Sequence, residues 1–390
     1  MFRFHTAGES HGKALVAWVS GLPAGVRIDF DFINRELRRR QAGYGRGGRM
    51  KIEQDRAHFL GGVRHGRTTG TPIALTIENK DWKNWQEVLP VEDNPTAAAK
   101  QRPLTEPRPG HADLAGALKF NLYDARTVLE RASARETAAR TAAGALAKLF
   151  LRPFGIEVLS HVIAIGSAGL ARAARWEEIE RACADAEAAF RCVEAQVEEK
   201  MKALVDRALA ERDSLGGVFE VVAHGVPPGL GSHINWDEKL DGQLAQAVMS
   251  IPAVKAVEIG TGVASAAAFG SEVHDEISYE AAARRFTRRT NHAGGLEGGI
   301  TNGEEVRVRG YLKPISTLRR PLRSVNLKTK QAVRAAYERA DVCVVPAAGV
   351  AGEAMVALVL ARAVREKFGG DTLEEALRNF QGYQEQLRNF

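Results

Sequence analysis

A run of small residues constrains this fold more than any other feature. Eight of the sixteen residues from 132 to 147 are alanine, inside an apolar stretch, 128–150, that reads as one long helix. A helix faced with alanine lets neighbouring backbones come close, which suits the middle of a layered core. A second stretch of the same kind, 347–363, follows the short apolar run 342–345, and the two are suited to pack as a core pair. Short apolar segments at 2–6, 15–19, 50–52, 59–63 and 73–77 read as strands, with one helix, 32–40, among them. Further on, 156–165, 218–223, 254–259 and 305–311 read as strands, and 176–212 and 236–249 as helices. These do not alternate at the rhythm of a doubly wound parallel sheet, so the expected class is α+β, with antiparallel sheets packed on a helical layer. No Pro- or Ser-rich linker divides the chain, and 1–390 is read as a single domain. The segment 81–110 carries Pro90, Pro95, Pro103, Pro107 and Pro109 and is longer than a connector needs, as functional loops are.

Charge narrows the ligand. The net charge is +6, yet the stretch 35–67 holds ten basic residues against three acids, so the rest of the chain is close to neutral. A basic cluster on a balanced scaffold points to a local anionic ligand. Cys183, Cys192 and Cys343 form no C-x-x-C pair, against a disulfide framework or structural zinc. The opening MFRFHTAGESHG is too polar for a signal peptide and no run of 18 apolar residues occurs, so a cytoplasmic location without a membrane span is expected.

Several motifs were weighed on their chemistry. Gly8-Glu-Ser-His-Gly-Lys13 suggests a phosphate loop, but three residues separate its glycines where four are needed, and Ala14 follows the lysine. What remains is a histidine between glycines in a turn joining strands, so His11 faces a ligand or is an exposed turn histidine. Gly43-Tyr-Gly-Arg-Gly-Gly48 spells the dinucleotide fingerprint, yet it follows a helix and precedes a strand, the reverse of the required order. It reads as a turn offering Arg46 and Arg49 to a small polyanion, or as a solvated tight turn. In Arg108-Pro-Gly-His-Ala-Asp113, a Pro-Gly turn leads into a helix that Asp113 could cap, with His111 beside it. That placement suits an anion, a general acid or a capping histidine. In Arg131-Ala-Ser-Ala-Arg-Glu-Thr137, two arginines four apart would share a helix face, calling for an anion between them or neutralisation by Glu130 or Glu136. No G-x-S-x-G, H-E-x-x-H or EF-hand pattern occurs, against hydrolase or metal chemistry.

Taken in order, GESHG, RRRQ, GYGRGGRM, RPGHAD, RASARET, GGLEGG with TNGE, KPIST and the RAD before VPAAG resemble the chorismate synthase family, over about residues 6–370. The resemblance implies an anti-1,4-elimination of phosphate from 5-enolpyruvylshikimate 3-phosphate to give chorismate, using reduced FMN without net redox change. It also implies a β-α-β sandwich around a helical core and a homotetramer. By the resemblance, Arg40, Arg46, Arg49, Arg108, Arg135 and Arg339 line the anion and flavin region, with Ser10 and Ser133 donating hydrogen bonds. His11 is implied as the acid that protonates the departing phosphate, His111 as the histidine beside flavin N1, and Asp341 as a proton relay from flavin N5. Ser133, Ala134, Arg135, Pro252, Ala253, Gly298, the loop of Lys313, Pro314, Ile315, Ser316 and Thr317, and Arg339 match the family's FMN-contact segments. Proline at 252 is a departure, since the family commonly has a polar residue there. NADPH is implied at most as an indirect reductant, and since no segment reads as a flavin reductase, an external flavin reductase is the expected source of reduced FMN. The alternatives are an RNA-binding protein using 35–67 and a flavin oxidoreductase consuming NAD(P)H; the expectation is neither nucleic acid nor membrane as partner.

Overall fold

The computed structural model describes residues 2–47, 53–93, 102–338 and 341–390. The predicted strand at 50–52 and the predicted site residues Arg49 and Arg339 lie outside them.

The first third folds as β1 (Arg3–Gly8), β2 (Ala14–Ser20), α1 (Phe30–Gln41), β3 (His58–Gly61), the two-residue strands β4 (Val63–Arg64) and β5 (Arg67–Thr68), and β6 (Ile73–Glu78). Strands β1, β2, β6 and β3, in that order, make an antiparallel sheet. Every second residue of β2 and β6 is buried (Leu15, Ala17, Val19; Ile73, Leu75, Ile77), so the two-residue period turns one apolar face inward. The strand expected to reach 63 stops at Gly61, because Gly62 takes φ +82° and turns the chain. Helix α1 starts where Asp29 accepts the Phe32 N–H at 2.9 Å, and ends with Arg38, Arg39 and Arg40 against the negative end of its dipole.

The stretch 128–150 is not one helix. It forms α2 (Asp113–Lys119) upstream, then α3 (Arg126–Ala132) and α4 (Thr137–Leu151), with an extended residue at Ser133 (φ −67°, ψ 139°) and a 3-10 turn between the last two. The Ser133 hydroxyl takes the Arg135 N–H, the local competition that makes serine a helix breaker as readily as a helix former. Arg131 and Arg135 therefore do not share a face.

The second half carries β7 (Glu157–Ile165), β8 (Ala168–Gly169), α5 (Trp176–Cys183), α6 (Ala195–Ala210), β9 (Gly217–His224), α7 (Leu240–Met249) and β10 (Val254–Ile259). After them come the single-turn helices α8 (Gly262–Ser265) and α9 (Gly270–Val273), the hairpins β11 (Ile277–Glu280) with β12 (Arg285–Arg288) and β13 (Leu296–Glu297) with β14 (Ile300–Thr301), and β15 (Val306–Leu312). The chain closes with the hairpin β16 (Arg323–Val325) and β17 (Ala332–Arg334), then α10 (Val345–Phe368) and α11 (Leu373–Asn389). A five-stranded antiparallel sheet runs β10-β15-β9-β7-β8. Two helical expectations need trimming: 176–212 is two helices separated at 184–194, and 236–249 begins only at Leu240.

The two alanine-rich helices meet. Helix α4 packs on β2 and α1, α10 packs on β7 and β9, and α4 lies against α10. At the crossing a Cβ on Gly144 would sit 2.4 Å from the Ala354 Cα, so only glycine admits this approach. Helix α10 has mean hydropathy 1.7 over its 18-residue apolar window, enough by length and composition to span a bilayer, but 89% of that window is buried inside the fold. A smaller core of Leu104, Ala117, Ala125, Leu129 and Leu327 joins 102–129 to the β16–β17 hairpin.

Candidate active site

The described basic residues of 35–67 do not gather at one place. Consecutive helical residues point about 100° apart, so Arg35 and Arg38 are exposed while Arg39 and Arg40 are buried in different directions. Arg56, Arg64 and Arg67 are exposed. Of the described members, Arg40 and Arg46 alone line a cavity of about 580 Å³ between the α3–α4 break, the start of α10, the turn at 9–13 and the strap at 313–317.

Each wall has a traceable cause. The turn at 9–13 is fixed to α3 by the Ser10 N–H on the Glu130 carbonyl (3.0 Å), and Asn79 Nδ2 holds the Glu9 and Gly12 carbonyls (3.0 and 2.7 Å). Asn79 Oδ1 in turn accepts from Arg135 Nε at 2.9 Å. The break at Ser133 sends Arg135 inward, where its Nη1 reaches Asp55 at 2.6 Å, while Arg131 lies outside on the Thr6 and Gly8 carbonyls. Neither arginine is neutralised by Glu130; Glu136 serves Arg131 (3.8 Å) and Arg140 (2.9 Å). Lys313 N–H donates to the Ala253 carbonyl at 3.0 Å, tying the strap to a residue at φ +73°, an uncommon value for alanine and a local strain of the sort found at binding sites.

The charge is unbalanced. Arg40, Arg46, Arg102, Arg108, Arg126, Arg135 and Lys313 line the cavity, against two lining carboxylates, Glu338 and Asp341. Arg40 (2.8 Å) and Arg135 (2.6 Å) share Asp55 behind them, and Arg135 also faces the buried Glu53 at 3.8 Å. Burial, with the like charges of Arg135 and Arg46, lowers the Arg40 pKa to about 10 in spite of Asp55. Arg40 Nε and Arg126 Nη1 are buried without a hydrogen-bond partner. Such a surplus calls for an anion in the cavity.

Two histidines stand on the walls, each with Nδ1 on a buried carboxylate: His11 on Glu130 (2.9 Å) and His111 on Asp113 (2.5 Å). Asp113 does not cap α2 as expected; the cap position is Ala112, and the carboxylate instead takes the Arg108 N–H and Nε (3.0 and 2.8 Å). Burial alone would raise the Asp113 pKa, but the hydrogen bonds from His111 and Arg108 outweigh it and hold the group well below the usual carboxylate range. Arg108 also reaches Thr317 Oγ1 at 2.8 Å. Asp341 is held by Arg46 Nη1 (2.6 Å) and the Gly47 N–H (2.5 Å).

Of the residues singled out in the sequence, Ser10, His11, Arg40, Arg46, Arg108, His111, Ser133, Ala134, Arg135, Pro252, Ala253, Lys313, Pro314, Ile315, Ser316, Thr317 and Asp341 all line this cavity. Gly298 is not brought there: it sits on the β13–β14 turn, nearest to the His233 side chain. Sequence reasoning missed Trp85, which stacks on His11 (centroids 4.0 Å apart), as well as Arg126 and the buried Asp55. A tryptophan in a proline-rich loop was the only available signal for the first.

A planar cofactor has a matching wall. Ala347, Ala348 and Ala351 of α10, with Ala132, Ala134 and Ile251, bring mostly small apolar side chains to the cavity that the arginines line. Together with the unpartnered guanidinium nitrogens, that donor set fits a flavin carrying a phosphate.

Residues 2–364 match the family model described as chorismate synthase. A protein named chorismate synthase from Acidobacterium capsulatum is 63% identical over 395 residues, and one from Solibacter usitatus is 61% identical over 390, each alignment covering 100% of both chains. A solved structure entitled "Crystal Structure of Chorismate Synthase" superposes with a TM-score of 0.78 at 41% identity, covering 100% of this chain and 99% of the other.

Proposed function

Since the chain belongs to the chorismate synthase family, we propose that the cavity holds 5-enolpyruvylshikimate 3-phosphate and reduced FMN together. The activity is that of the family: a lyase reaction that eliminates phosphate from this substrate to give chorismate, in a family that uses reduced FMN. Reduced FMN, when bound, supplies transient electron donation to the substrate with no net oxidation. The observation that carries the assignment of the site is the excess of cations over carboxylates among the side chains that line the cavity, because the substrate brings a phosphate and two carboxylates.

The chain's own groups divide the work. Arg40, Arg135 and Arg46 form a bidentate-capable cluster for phosphate or carboxylate oxygens, with Ser10 and Ser133 as hydroxyl donors at its edge and Arg49 and Arg339 as further cations. His11 protonates the departing phosphate and lowers the charge that must develop on it. His111, its Nδ1 proton fixed by Asp113, offers its other nitrogen to the cofactor side. Asp341, anchored by Arg46, passes on the proton that the substrate loses. Ala134, Pro252, Ala253 and the strap Lys313 to Thr317 enclose the flat ligand, and Gly298 belongs with them only in an arrangement different from that of the single chain. NADPH acts as an indirect reductant through an external flavin reductase.

We extend the reading to a cytoplasmic homotetramer of single-domain chains with the family's sandwich fold. One hydrophobic core running from Phe2 to Phe380 supports the single domain. Exposed Ile234, Trp236, Val263 and Phe269 supply apolar surface for copies to cover. The test is an anaerobic assay with substrate and chemically reduced FMN that follows phosphate and chorismate together. Equal release of both is expected; folded protein yielding neither overturns the reading.

A further inference from the structure

Glu130 lies behind the cavity wall, 2% exposed, and its contacts converge on one neighbour. Its two carboxylate oxygens stand 2.9 and 3.0 Å from His11 Nδ1, Oε2 also accepts the His11 N–H at 2.7 Å, and its carbonyl accepts the Ser10 N–H at 3.0 Å. The face of the His11 ring is stacked on Trp85 at 4.0 Å and 24°, and the Trp85 indole N–H donates to Asp81 at 3.3 Å. An in-plane hydrogen bond and a stacked neighbour together restrict the ring to one orientation. With Nδ1 on Glu130, the opposite edge, Nε2, is the one presented to the cavity that His11 lines.

The companion pair shows what is particular here. Asp113, the partner of His111, is shared with Arg108 through three N–H groups. Glu130 meets the cation Arg126 only at 3.8 Å, and Arg126 is committed to Glu338 (2.8 Å) and the Arg102 carbonyl (2.9 Å). The Glu130 charge is thus directed at His11.

We propose that Glu130 is the positioning residue of His11, assisted by Trp85: it holds a proton on Nδ1 and aims Nε2 at the leaving phosphate. This rests on the reading of His11 as the acid. Charged groups facing His11 are Glu130 and Arg126 on α3, Glu9 in its own turn, Asp81 behind Trp85, and Arg102 over the Trp85 ring at 5.1 Å. Of these, Glu130 is the group in hydrogen-bond contact with the ring.

The test reads His11 separately from turnover. Diethyl pyrocarbonate modifies unprotonated imidazole, so the rate of His11 modification against pH, followed by peptide mass spectrometry on the intact assembly, titrates this one ring. Glu130→Gln, which removes the charge beside the ring, should raise the rate of His11 modification at pH 6 by about threefold. It should also lower kcat by about 10²-fold, with KM for the substrate within about threefold. Glu130→Asp, which keeps the charge, should keep the parent's modification rate. A Glu130→Gln profile superimposed on the parent's overturns the inference, and so does equal displacement by Gln and Asp. If Glu130→Gln does not fold, Trp85→Phe against Trp85→Ala decides: Ala, which removes the stack, should lose about tenfold more in kcat than Phe, which keeps it, and equal turnover in the two overturns it. Failure of the wider reading looks different, since His11→Ala with intact turnover removes the acid but leaves the modification profiles to report on Glu130.

Discussion

Arg39 and Arg40 are neighbours on α1, both 3% exposed, and they answer to opposite rules. Arg39 enters a balanced cluster: it binds Glu353 through both terminal nitrogens (2.8 Å each) and Glu36 (2.8 Å), and Lys148 reaches the same two carboxylates. Glu353 is closed off further by the Ser160 N–H and hydroxyl (2.8 and 2.6 Å). Burial would lower the Arg39 pKa, but Glu353 and Glu36 outweigh it and push it well above the ordinary value. Arg40 enters a cavity with too little counter-charge and is pulled down to about 10. Arg39, matched within the chain, ties helices together, whereas Arg40 is left facing a cavity.

The comparison breaks most visibly at Glu353. Glu353→Ala strands Arg39 and Lys148 in the core and should cost about 3–5 kcal/mol of stability by urea unfolding; a loss under about 1 kcal/mol would mean that the cluster is not what braces α1, α4 and α10. The next largest effect falls on the cavity side. His11→Ala and His111→Ala should each reduce turnover about 10²-fold or more with little change in unfolding midpoint, and near-normal turnover in both would refute their roles.

Arg40→Met sharpens the contrast. Because Arg135 still pairs with Asp55 when Arg40 is gone, the change should leave stability nearly unchanged while weakening substrate binding about tenfold, measured as KM and by calorimetry. Parallel losses of stability in Arg40→Met and Arg39→Met would erase the distinction.

The smallest effect is in acid. Burial raises the Glu353 pKa, but Arg39 and Lys148 outweigh it and bring it to about 2, below the ordinary 4.5. A depressed carboxylate contributes stability above its unfolded value and loses it as pH falls through the folded one. Stability from the core cluster should therefore hold down to about pH 5 and decline between 4.5 and 2. In Glu353→Gln that part of the decline should vanish, as read by the unfolding midpoint against pH.

Much of this was legible without coordinates. The strands at 254–259 and 73–77 and the alanine-rich helix at 347–363 fall where the periodicity puts them, within a residue or a few. The break at Ser133 was not, because helix propensity over 128–150 is high and a serine inside it is decided by whether its hydroxyl captures a nearby N–H. The basic stretch 35–67 was also misleading: proximity in sequence is not proximity in space once a helix turns successive residues about 100° apart.

Composition and local period by themselves determined that this chain has two small-residue helices, short apolar strands, and a basic excess concentrated at 35–67. The order of its motifs pointed to its family. Only the tertiary structure decided which arginine is a brace and which a ligand-holder, and which acid stands behind His11. Those pairings join residues 314 apart (Arg39 and Glu353) and 119 apart (His11 and Glu130). A charge's environment is set by what packing brings within about 4 Å, and no local pattern encodes that.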